Sequence, residues 1–448
     1  MDKCQNIKQI YIGNVLESFY KSYTYDKMPK KEADFWRRYD ALENNRSLLY
    51  GGDNKIVITP EKINSSHLSY ICNLAGWKNV DNLIPERQTD CISLDICSDR
   101  DFYNKLRKII VNNPGVEIIQ YRHTPEFYLL VEKFREDGLN PVFPELVEKD
   151  NKFIEEYFHS KRGFRHLWEQ IKDPQLKIDI PEGYITENRK EAIEAGWWFR
   201  TKNRDFVLKI NRGVQGIGVL MNHCSDFSRD YDLFVKQLGQ KLTDGMWEEP
   251  IIIVEEYIDP NEDIFGGSPN VEMKIDRQGK ILREFSCAQV LDADGKTFLG
   301  VVMNREVESS AHIQEAYKAA ELFAAKLTEV GYRGVFDMDL VVAKNNKLFA
   351  VEANLRRTGG THAHEFAKCL LGNDYCQYNY VHIQDVSILD NKKREFFKTL
   401  EKFVYNKQTK TGIIPVNPDM VEVGKAPILI IAPSKQILNE ILEEVNED

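Results

Sequence analysis

Long apolar segments are absent from this chain of 448 residues. The longest apolar run near the C-terminus covers residues 426–433, far fewer than the about 20 that a membrane-spanning helix needs. The first residues also lack the apolar core of a secretory signal. We therefore expect a cytoplasmic protein with no membrane partner.

Concentrated positive charge is absent too. Acidic residues outnumber basic ones by 70 to 60, and the formal net charge is -10. The basic residues are spread among the acids, and basic runs such as residues 390–394 are short. Because a nucleic-acid-binding protein normally carries a basic domain or stripe, we expect no nucleic-acid partner.

The eight cysteines form no Cys-x-x-Cys pair, and none lies beside a histidine at a zinc-ligand spacing. This pattern gives neither a common zinc site nor a disulfide framework. Reduced thiols in a reducing cytoplasm are the expectation. The chain also shows no Ser–His or Cys–His arrangement of the kind that activates a nucleophilic side chain.

Two familiar nucleotide-binding motifs are missing as well. The first strand-like segment is followed by one glycine, Gly13, where a dinucleotide-binding fingerprint has three. The glycine-rich segment 213–218 lacks the Gly-Lys-Ser/Thr and the following helix of a P-loop. Any nucleotide site must therefore be built in another way.

What is present is an alternation of strand and helix patterns over the first ~145 residues, which predicts a small parallel α/β sheet. The predicted strands are residues 9–12, 55–59, 91–96 and 116–121. A helix is predicted after the last of them, with Thr124 as N-cap, Pro125 at the first position and a stop at Gly138.

The remainder of the chain has a different pattern. Residues 150–205 look mainly helical, and strand-like segments then come in pairs joined by tight turns. The predicted pairs are 206–210 with 219–221, 271–275 with 281–286, and 335–342 with 347–355. One amphipathic helix is predicted from Ile313 to Val330, ending at Gly331. The tail is predicted to hold a strand at 428–431 and a helix at 435–445.

The strongest chemical signal is a hairpin of carboxylates. Strand alternation places Asp337 and Asp339 on one face of the first strand, and Ala350, Glu352 and Asn354 on one face of the second. A two-residue turn at positions 345–346 sets Asp339 opposite Glu352, and Asp337 opposite Asn354, with Cβ atoms about 5 Å apart.

Carboxylates so placed repel each other unless a cation or a proton offsets their charge. Mg²⁺ takes hard oxygen ligands and usually keeps waters and substrate phosphates as its other ligands. Asp339, Glu352 and Asn354 are therefore candidate metal ligands. The alternative is a solvated polar face on a half-buried hairpin.

Arg356 follows the hairpin and is suited to hold a transferring phosphoryl group or an acyl phosphate. The paired glycines 359 and 360 can offer backbone N–H groups to an anion. His362 and His364 are either substrate ligands or ordinary loop histidines.

A glycine-rich turn lies between two predicted antiparallel strands and contains Gly213, Gly216 and Gly218. Such a turn can close over phosphates as a flap, although a plain glycine-rich hairpin is the alternative. Lys209, at the end of the strand leading into it, can reach the phosphates as a point charge.

A second candidate for nucleotide binding is the apolar strand that begins at Pro250. It ends at Glu255 and Glu256, and the chain turns soon afterwards. Main-chain groups of Tyr257 and Ile258 could pair with an adenine edge, and a nearby acid such as Glu262 with ribose hydroxyls.

Taken together and in this order, these features resemble the ATP-grasp superfamily. The residues that carry the resemblance are Lys161 in the segment 160–165, Lys209 before the flap, the strand end 255–258, and Asp339 with the segment 352–356. The resemblance implies that Lys161 and Lys209 bind ATP phosphates, that the strand end holds adenine and ribose, and that Asp339, Glu352 and Asn354 bind two Mg²⁺ ions, for which Mn²⁺ could substitute. It assigns catalytic roles to Arg356 and Lys209.

The segment 354–362 is further similar to peptide ligases of the pheganomycin-biosynthesis type, with Asp337 standing where some relatives carry arginine. The implied fold is multidomain, α/β and α+β. Residues 1–148 would form a parallel domain similar to the pre-ATP-grasp domain, 149–258 and 259–390 the two α+β subdomains, and 391–448 an extension on the ligase core. The implied partners are a small carboxylate and an amine, in a monomer or a homodimer.

The expected reaction is ligation of that carboxylate to the amine through an acyl phosphate, which releases ADP and phosphate. Two other functions stay open on the sequence. One is a small-molecule kinase on the same fold, and the other is a nucleotide-binding module without catalysis.

Overall fold

The computed structural model describes residues 5–20, 28–147, 153–171, 173–213, 216–292, 295, 297–389 and 393–447. The first region contains a parallel sheet in the order β3-β2-β1-β4. Its strands are β1 (Gln9–Ile12), β2 (Lys55–Ile58), β3 (Val80–Leu83) and β4 (Glu117–Gln120). Its helices are α1 (Val15–Tyr20), α2 (Lys30–Glu43), α3 (Ser65–Ala75), α4 (Ile92–Ser98), α5 (Arg100–Asn112) and α6 (Pro125–Glu136). The predicted parallel sheet is confirmed.

One strand in this region, β3, was not predicted, and one prediction was wrong. The segment predicted as a strand at 91–96 forms α4. Ile92 and Ile96 are four residues apart and both buried, which suits one face of a helix better than the alternating faces of a strand. The Asp95 carboxylate also accepts a hydrogen bond from the backbone N–H of Thr89 at 3.0 Å, which ties the helix to the loop before it.

The second region contains a four-stranded antiparallel sheet in the order β5-β8-β6-β7. Its strands are β5 (Gly183–Thr186), β6 (Phe206–Ile210), β7 (Val219–Asn222) and β8 (Ile252–Glu256). Its helices are α7 (Phe153–Phe158), α8 (Lys161–Trp168), α9 (Arg189–Thr201) and α10 (Tyr231–Lys241). The predicted pairing of the two strands that flank the glycine flap is confirmed.

The third region contains an eight-stranded antiparallel sheet in the order β13-β12-β9-β10-β11-β14-β16-β15. Its strands are β9 (Pro269–Ile275), β10 (Ile281–Leu291), β11 (Phe298–Met303), β12 (Gly334–Val342), β13 (Leu348–Asn354), β14 (Tyr380–Ser387), β15 (Gly412–Pro415) and β16 (Lys425–Ala432). Its helices are α11 (Arg305–Glu308), α12 (Ala311–Glu329), α13 (Thr361–Leu371), α14 (Tyr375–Tyr378), α15 (Lys393–Lys402) and α16 (Lys435–Glu447).

The fold class is the predicted one, a parallel α/β sheet followed by α+β regions. β16 comes from the C-terminal tail and pairs with β14 along eight residues, so the tail belongs to the large sheet. The domain boundaries at 148, 258 and 390 stay a prediction. Within the described residues, no helix combines the length and the apolar character needed to cross a membrane.

The hairpin of β12 and β13 has the predicted pairing at its functional end. Asp339 pairs with Glu352, and Asp337 with Asn354. Nearer the turn the pairing is shifted by one residue, so that Val342 pairs with Leu348, and a bulge corrects the shift. The two-residue turn was therefore the wrong geometry.

The bulge lies at Val351, because Leu340 pairs with Ala350 and Asp339 with Glu352. Ala350 was predicted to share a face with Glu352. It lies instead in the core beneath the sheet, because the extra residue reverses the alternation between the two positions.

Apolar packing on one side of this sheet orients the polar side chains on the other. Phe336, Met338 and Leu340 alternate along β12 and are buried against α12, where the Phe323 ring lies 5.9 Å from the Phe336 ring. Burial of each such side chain contributes roughly 1.5–3 kcal/mol. A slip of one residue would exchange the two faces, so the core holds Asp337 and Asp339 toward the opposite side.

Gly163 sets the close approach of α8 to the end of α7. A Cβ atom at this position would lie 2.0 Å from the carbonyl oxygen of Tyr157. We expect Gly163→Ala to destabilise the protein by about 1–3 kcal/mol, as overpacking does elsewhere. Thermal unfolding of the full chain is the measurement. Gly245→Ala is the matched control, because a Cβ there has no atom within 4 Å, and an equal loss in both variants would contradict the explanation.

Candidate functional site

A cavity of about 1950 Å³ is lined by all three regions of the chain. Tyr121 comes from the loop after β4, Lys161 and Lys209 from the second region, and Glu352 and Arg356 from the third. Every described residue that the sequence singled out for nucleotide or metal binding lines this cavity. They are Lys161, Lys209, Gly213, Gly216, Gly218, Glu255, Glu256, Tyr257, Ile258, Glu262, Asp339, Glu352, Asn354 and Arg356.

Asp339 is the centre of the hydrogen-bond network on the floor of the cavity. Its Oδ1 accepts from Asn270 Nδ2 at 2.7 Å and from Gln289 Nε2 at 2.6 Å. Its Oδ2 accepts from Asn354 Nδ2 at 3.0 Å. The second acid, Asp337, accepts from Asn270 Nδ2 at 2.8 Å. Amide groups thus fix the orientation of both carboxylates without adding positive charge.

The acids of this hairpin oppose one another's ionisation. Burial raises the pKa of Asp339 to about 8, and the charges of Asp337 and Glu352 add to the effect. Burial likewise raises the pKa of Asp337, although the Arg356 guanidinium opposes the rise. Full ionisation of these acids would therefore leave negative charge that the protein does not compensate, and a bound cation would offset it.

Lys161 supplies part of the positive charge. Its Nζ lies 3.0 Å from Oε1 of Glu352, and its side chain is only 6% exposed. The ion pair joins α8 to β13 and places the predicted phosphate-binding lysine against a predicted metal ligand. Within the described residues, no group of three or more His, Cys, Asp or Glu side chains is arranged to hold a metal ion. A cation here would thus need Asn354 and ligands from outside the protein.

Lys209 makes a buried ion pair with Oε1 of Glu255. The other oxygen of Glu255 accepts from Arg165 Nη1 at 3.0 Å, and Arg165 Nη2 also donates to the carbonyl of Pro181 at 2.9 Å. The Glu255 carboxylate is buried between these two cations. Its side chain is therefore engaged with protein groups rather than free for ribose hydroxyls.

The end of β8 continues as the rim of the cavity. Glu256 forms an ion pair with Arg204, and the following residues Tyr257, Ile258 and Glu262 line the wall. On the flap, Gly216 and Gly218 have φ of 80° and 73°, a left-handed conformation that favours glycine. Residues 214 and 215, at the middle of the flap, lie outside the described residues.

Arg356 bridges the acid cluster and the first region. Its Nη2 donates to Oδ1 of Asn354 at 3.2 Å, and its Nη1 donates to the hydroxyl of Tyr121 at 3.0 Å. In the part of the chain that the structure describes, this half-buried guanidinium has no carboxylate within ion-pair distance, and its Nε has no acceptor. A half-buried guanidinium without a counter-ion is suited to an anionic ligand.

The segment after Arg356 is held by buried polar contacts. Arg357 forms two hydrogen bonds with the Glu145 carboxylate at 2.7 and 2.8 Å. Thr358 and Thr361 donate to the Glu272 carboxylate at 2.9 and 2.6 Å. These contacts fix the position of Arg356 relative to the sheet.

The paired glycines of this segment lie against aromatic rings. A Cβ atom at Gly359 would be 2.7 Å from the Phe298 ring, and one at Gly360 would be 2.8 Å from the Phe285 ring. Close packing is therefore a reason for glycine at both positions.

The two histidines have different environments. His364 Nδ1 lies 2.8 Å from the Tyr375 hydroxyl, and its ring stacks on Phe285. His362 lines the cavity, is 3% exposed, and has no hydrogen-bond partner for either ring nitrogen among the described residues. Burial holds the pKa of His362 well below its usual range, so the ring is neutral and could bind a polar ligand group.

Several residues of the site were not predicted. Asn270 lies just before a predicted strand, and Gln289 lies beyond the predicted end of the next one. Arg165 stands four residues after Lys161, on the same face of α8. That spacing is the one local signal that could have identified any of the three.

No protein family model matches this chain. A curated relative is the L-propargylglycine–L-glutamate ligase of Streptantibioticus cattleyicolor, 33% identical over 121 residues. The match covers 27% of this chain and 23% of the relative's length.

Solved structures match over nearly the whole chain. One is the ADP complex of N5-carboxyaminoimidazole ribonucleotide synthetase, with a TM-score of 0.54, 11% identity, and coverage of 99% of this chain and 97% of that one. The chain has the ATP-grasp fold. Biotin carboxylase of Campylobacter jejuni, in a β,γ-ATP complex, gives a TM-score of 0.55 and 12% identity over 95% of this chain and 88% of that one.

A third structure with the ATP-grasp fold is the biotin carboxylase domain dimer of Hydrogenobacter thermophilus 2-oxoglutarate carboxylase, which contains MgADP, ADP and bicarbonate. Its TM-score is 0.52 at 12% identity, with 96% of this chain and 87% of that one covered. The ATP-grasp fold predicted from the sequence motifs is therefore the fold of this chain.

Proposed function

We propose that this chain is an ATP- and Mg²⁺-dependent carboxylate–amine ligase that releases ADP and phosphate. The observation that carries the proposal is the convergence of Asp339, Glu352, Asn354, Lys161 and Arg356 on one cavity. Paired carboxylates beside buried cations suit a metal-bound phosphate chain. The partial match to an amino-acid ligase and the ATP-grasp fold support the same reaction class.

The donor set fits a magnesium ion by its chemistry. Two carboxylates and an amide oxygen are hard ligands of the type that Mg²⁺ accepts. Burial and the neighbouring acids raise the pKa of Asp339, so its ionised form lacks a counter-ion within the protein. Asp339, Glu352 and Asn354 would hold the ion. When bound there, Mg²⁺ would offset the charge that develops on the phosphate oxygens.

The proposed reaction has two steps. An oxygen of the substrate carboxylate attacks the γ-phosphorus of ATP, and the bond from that phosphorus to the bridging oxygen breaks to release ADP. The amine nitrogen then attacks the acyl carbon, phosphate leaves, and the amine loses a proton. Lys209 and Lys161 would bind the phosphate chain, and Arg356 would stabilise the negative charge of the transferring group.

ADP and phosphate release tests the proposal. ATP and Mg²⁺ are supplied with amino acids and small peptides, offered singly and in pairs. A ligase requires both a carboxylate and an amine, and it forms an amide that mass spectrometry detects. Phosphate that remains on a single substrate would identify a kinase. Mg²⁺-dependent ATP binding without release for any pair would favour a binding module.

Arg165 is expected to control how freely Lys209 reaches the nucleotide. Removing Arg165 leaves Lys209 as the single cation on the buried Glu255 carboxylate, so the pair should tighten. We expect Arg165→Gln to raise the KM for ATP about tenfold, since one hydrogen bond to a charged group contributes about 1.5–3 kcal/mol. Steady-state kinetics at saturating acid and amine are the measurement. Arg283→Gln, which breaks an exposed ion pair with Glu321, is the control, and equal effects in both variants would contradict the prediction.

A further inference from the structure

The cavity extends beyond Arg356 into a compartment walled by the first region, which we call the aromatic compartment. Its rings are Phe19, Phe35, Trp36, Tyr39 and Tyr121. Three of them lie on α2, where the Phe35 and Trp36 rings are 5.3 Å apart and the Trp36 and Tyr39 rings 5.4 Å apart. A wall of this kind suits a ligand with a substantial apolar part.

Two guanidinium groups, one buried and one half-buried, lie beside the rings of this compartment. Arg46 is centred 5.3 Å from the Tyr121 ring, and Arg356 is centred 5.8 Å from the same ring. Arg46 is 8% exposed, and its Nε has no hydrogen-bond acceptor among the described residues. Arg46 Nη1 pairs with Glu43 at 3.0 Å. Two guanidinium groups beside one aromatic ring, of which only Arg46 pairs with a carboxylate, are suited to bind a further anion.

Two acidic groups, Glu43 and Asp385, lie near Arg46. Glu43 pairs with Arg46 through Oε1 only, and Asp385 accepts a hydrogen bond from the Tyr39 hydroxyl at 2.7 Å through Oδ2 only. Their remaining oxygens accept no hydrogen bond in the described part of the chain. Burial raises the pKa of both acids, and Asp385 adds to the rise at Glu43. An ammonium group near these oxygens would compensate the negative charge of both carboxylates.

We propose that the aromatic compartment binds the acid substrate, and that this substrate is an α-amino acid with a large apolar side chain and a free amino group. Its carboxylate lies between Arg356 and Arg46, and its ammonium group lies toward Glu43 and Asp385. The Trp36 and Phe19 rings cover its side chain. The carboxylate thereby faces the phosphoryl-transfer site, because Arg356 contacts Asn354. This assignment rests on the proposed ligase function for the direction of the reaction, but not for the binding itself.

The test is equilibrium binding to the full chain, measured by calorimetry with L-phenylalanine as the probe. The comparison ligands are 3-phenylpropanoate, which lacks the amino group, 2-phenylethylamine, which lacks the carboxylate, and glycine, which lacks the side chain. We expect each to bind at least about tenfold more weakly than L-phenylalanine, because each loses charged hydrogen bonds or apolar burial that contribute more than about 1.4 kcal/mol.

Arg46→Gln should weaken L-phenylalanine binding about tenfold or more and leave ATP affinity unchanged. Arg283→Gln is the matched control, since Arg283 pairs with Glu321 on an exposed surface. Trp36→Ala supplies a second variant if Arg46→Gln unfolds. It should weaken L-phenylalanine binding but leave glycine binding unchanged.

Binding and turnover separate the two proposals. Selective L-phenylalanine binding that depends on Arg46 supports the assignment of the aromatic compartment. It does so even if no pair of acid and amine releases ADP. Absence of ADP release would overturn the proposed ligase activity alone. ADP release with other acids, combined with L-phenylalanine binding no tighter than that of glycine, would overturn the compartment assignment and leave the ligase standing.

Discussion

Replacing Glu352 with glutamine should lower the rate of ADP release by about a hundred- to a thousandfold, the range found when one stabilising group is removed from a transition state. Glu352 faces Asp339 across the hairpin and pairs with Lys161. Glutamine keeps the shape but removes the charge that would hold the cation. The loss should therefore lie in kcat rather than in the KM for either organic substrate.

Two controls separate this loss from a folding defect. Glu321→Gln makes the same chemical change at an exposed ion pair and should leave the rate unchanged. Circular dichroism and thermal unfolding should show a folded Glu352→Gln protein, because the variant also removes one of the charges that oppose ionisation of Asp339. ADP release within twofold of the wild-type rate would overturn the assignment of Glu352.

The hairpin shows why this part of the site could be predicted from sequence. Apolar residues alternate with Asp337 and Asp339, and an alternating strand with one buried face has only one stable register. The pairing of Asp339 with Glu352 was correct although the turn was not, because the bulge at Val351 restores the register. Burial of the core face is thus a stronger constraint than turn geometry.

The amide groups around Asp339 could not be predicted in the same way. Asn270 and Gln289 reach it because β9 lies between β10 and β12 in the sheet. That strand order depends on long-range pairing, which leaves no spacing pattern in the sequence. The same limit applies to Arg46, which lies 5.3 Å from the centre of the Tyr121 ring although the two residues are far apart in the chain.

The wrong assignment of α4 has a local cause. A short apolar run fits a buried strand or a buried helix turn equally well. The segment 92–96 is too short for its hydrophobic periodicity to distinguish a helix from a strand. The tail is a different case, because β16 and α16 were both predicted. The position of β16 in the large sheet was not predicted, since its pairing with β14 joins segments about forty residues apart.

The second large effect concerns the pH dependence of cation binding. Asp339 has a pKa of about 8 in the folded protein, because burial and the charges of Asp337 and Glu352 oppose its ionisation. Below that pH the carboxyl is protonated, and a divalent cation must displace the proton in order to bind. We expect Mg²⁺ affinity to rise by nearly tenfold per pH unit up to about pH 8, and to level off above it.

The free energy of unfolding of the cation-free protein should fall as the pH rises, whereas the Mg²⁺ affinity rises. Between the ordinary pKa of an aspartate, about 3.9, and the folded value of about 8, the folded protein holds a proton on Asp339 that the unfolded chain has lost. The contribution of Asp339 to the free energy of unfolding therefore falls as the pH rises through this window. Added Mg²⁺ should restore it most strongly at the alkaline end.

Thermal unfolding with and without Mg²⁺, from pH 6 to pH 9, measures both effects at once. The increase in Tm that Mg²⁺ causes should grow with pH in the wild type. It should lose most of its pH dependence in Asp339→Asn, where no proton competes with the ion. Sodium chloride at matched ionic strength separates site binding from screening, because it screens charges without supplying a divalent cation to the site. A Mg²⁺ effect on Tm that is the same at pH 6 and pH 9 would show that Asp339 does not bind the cation.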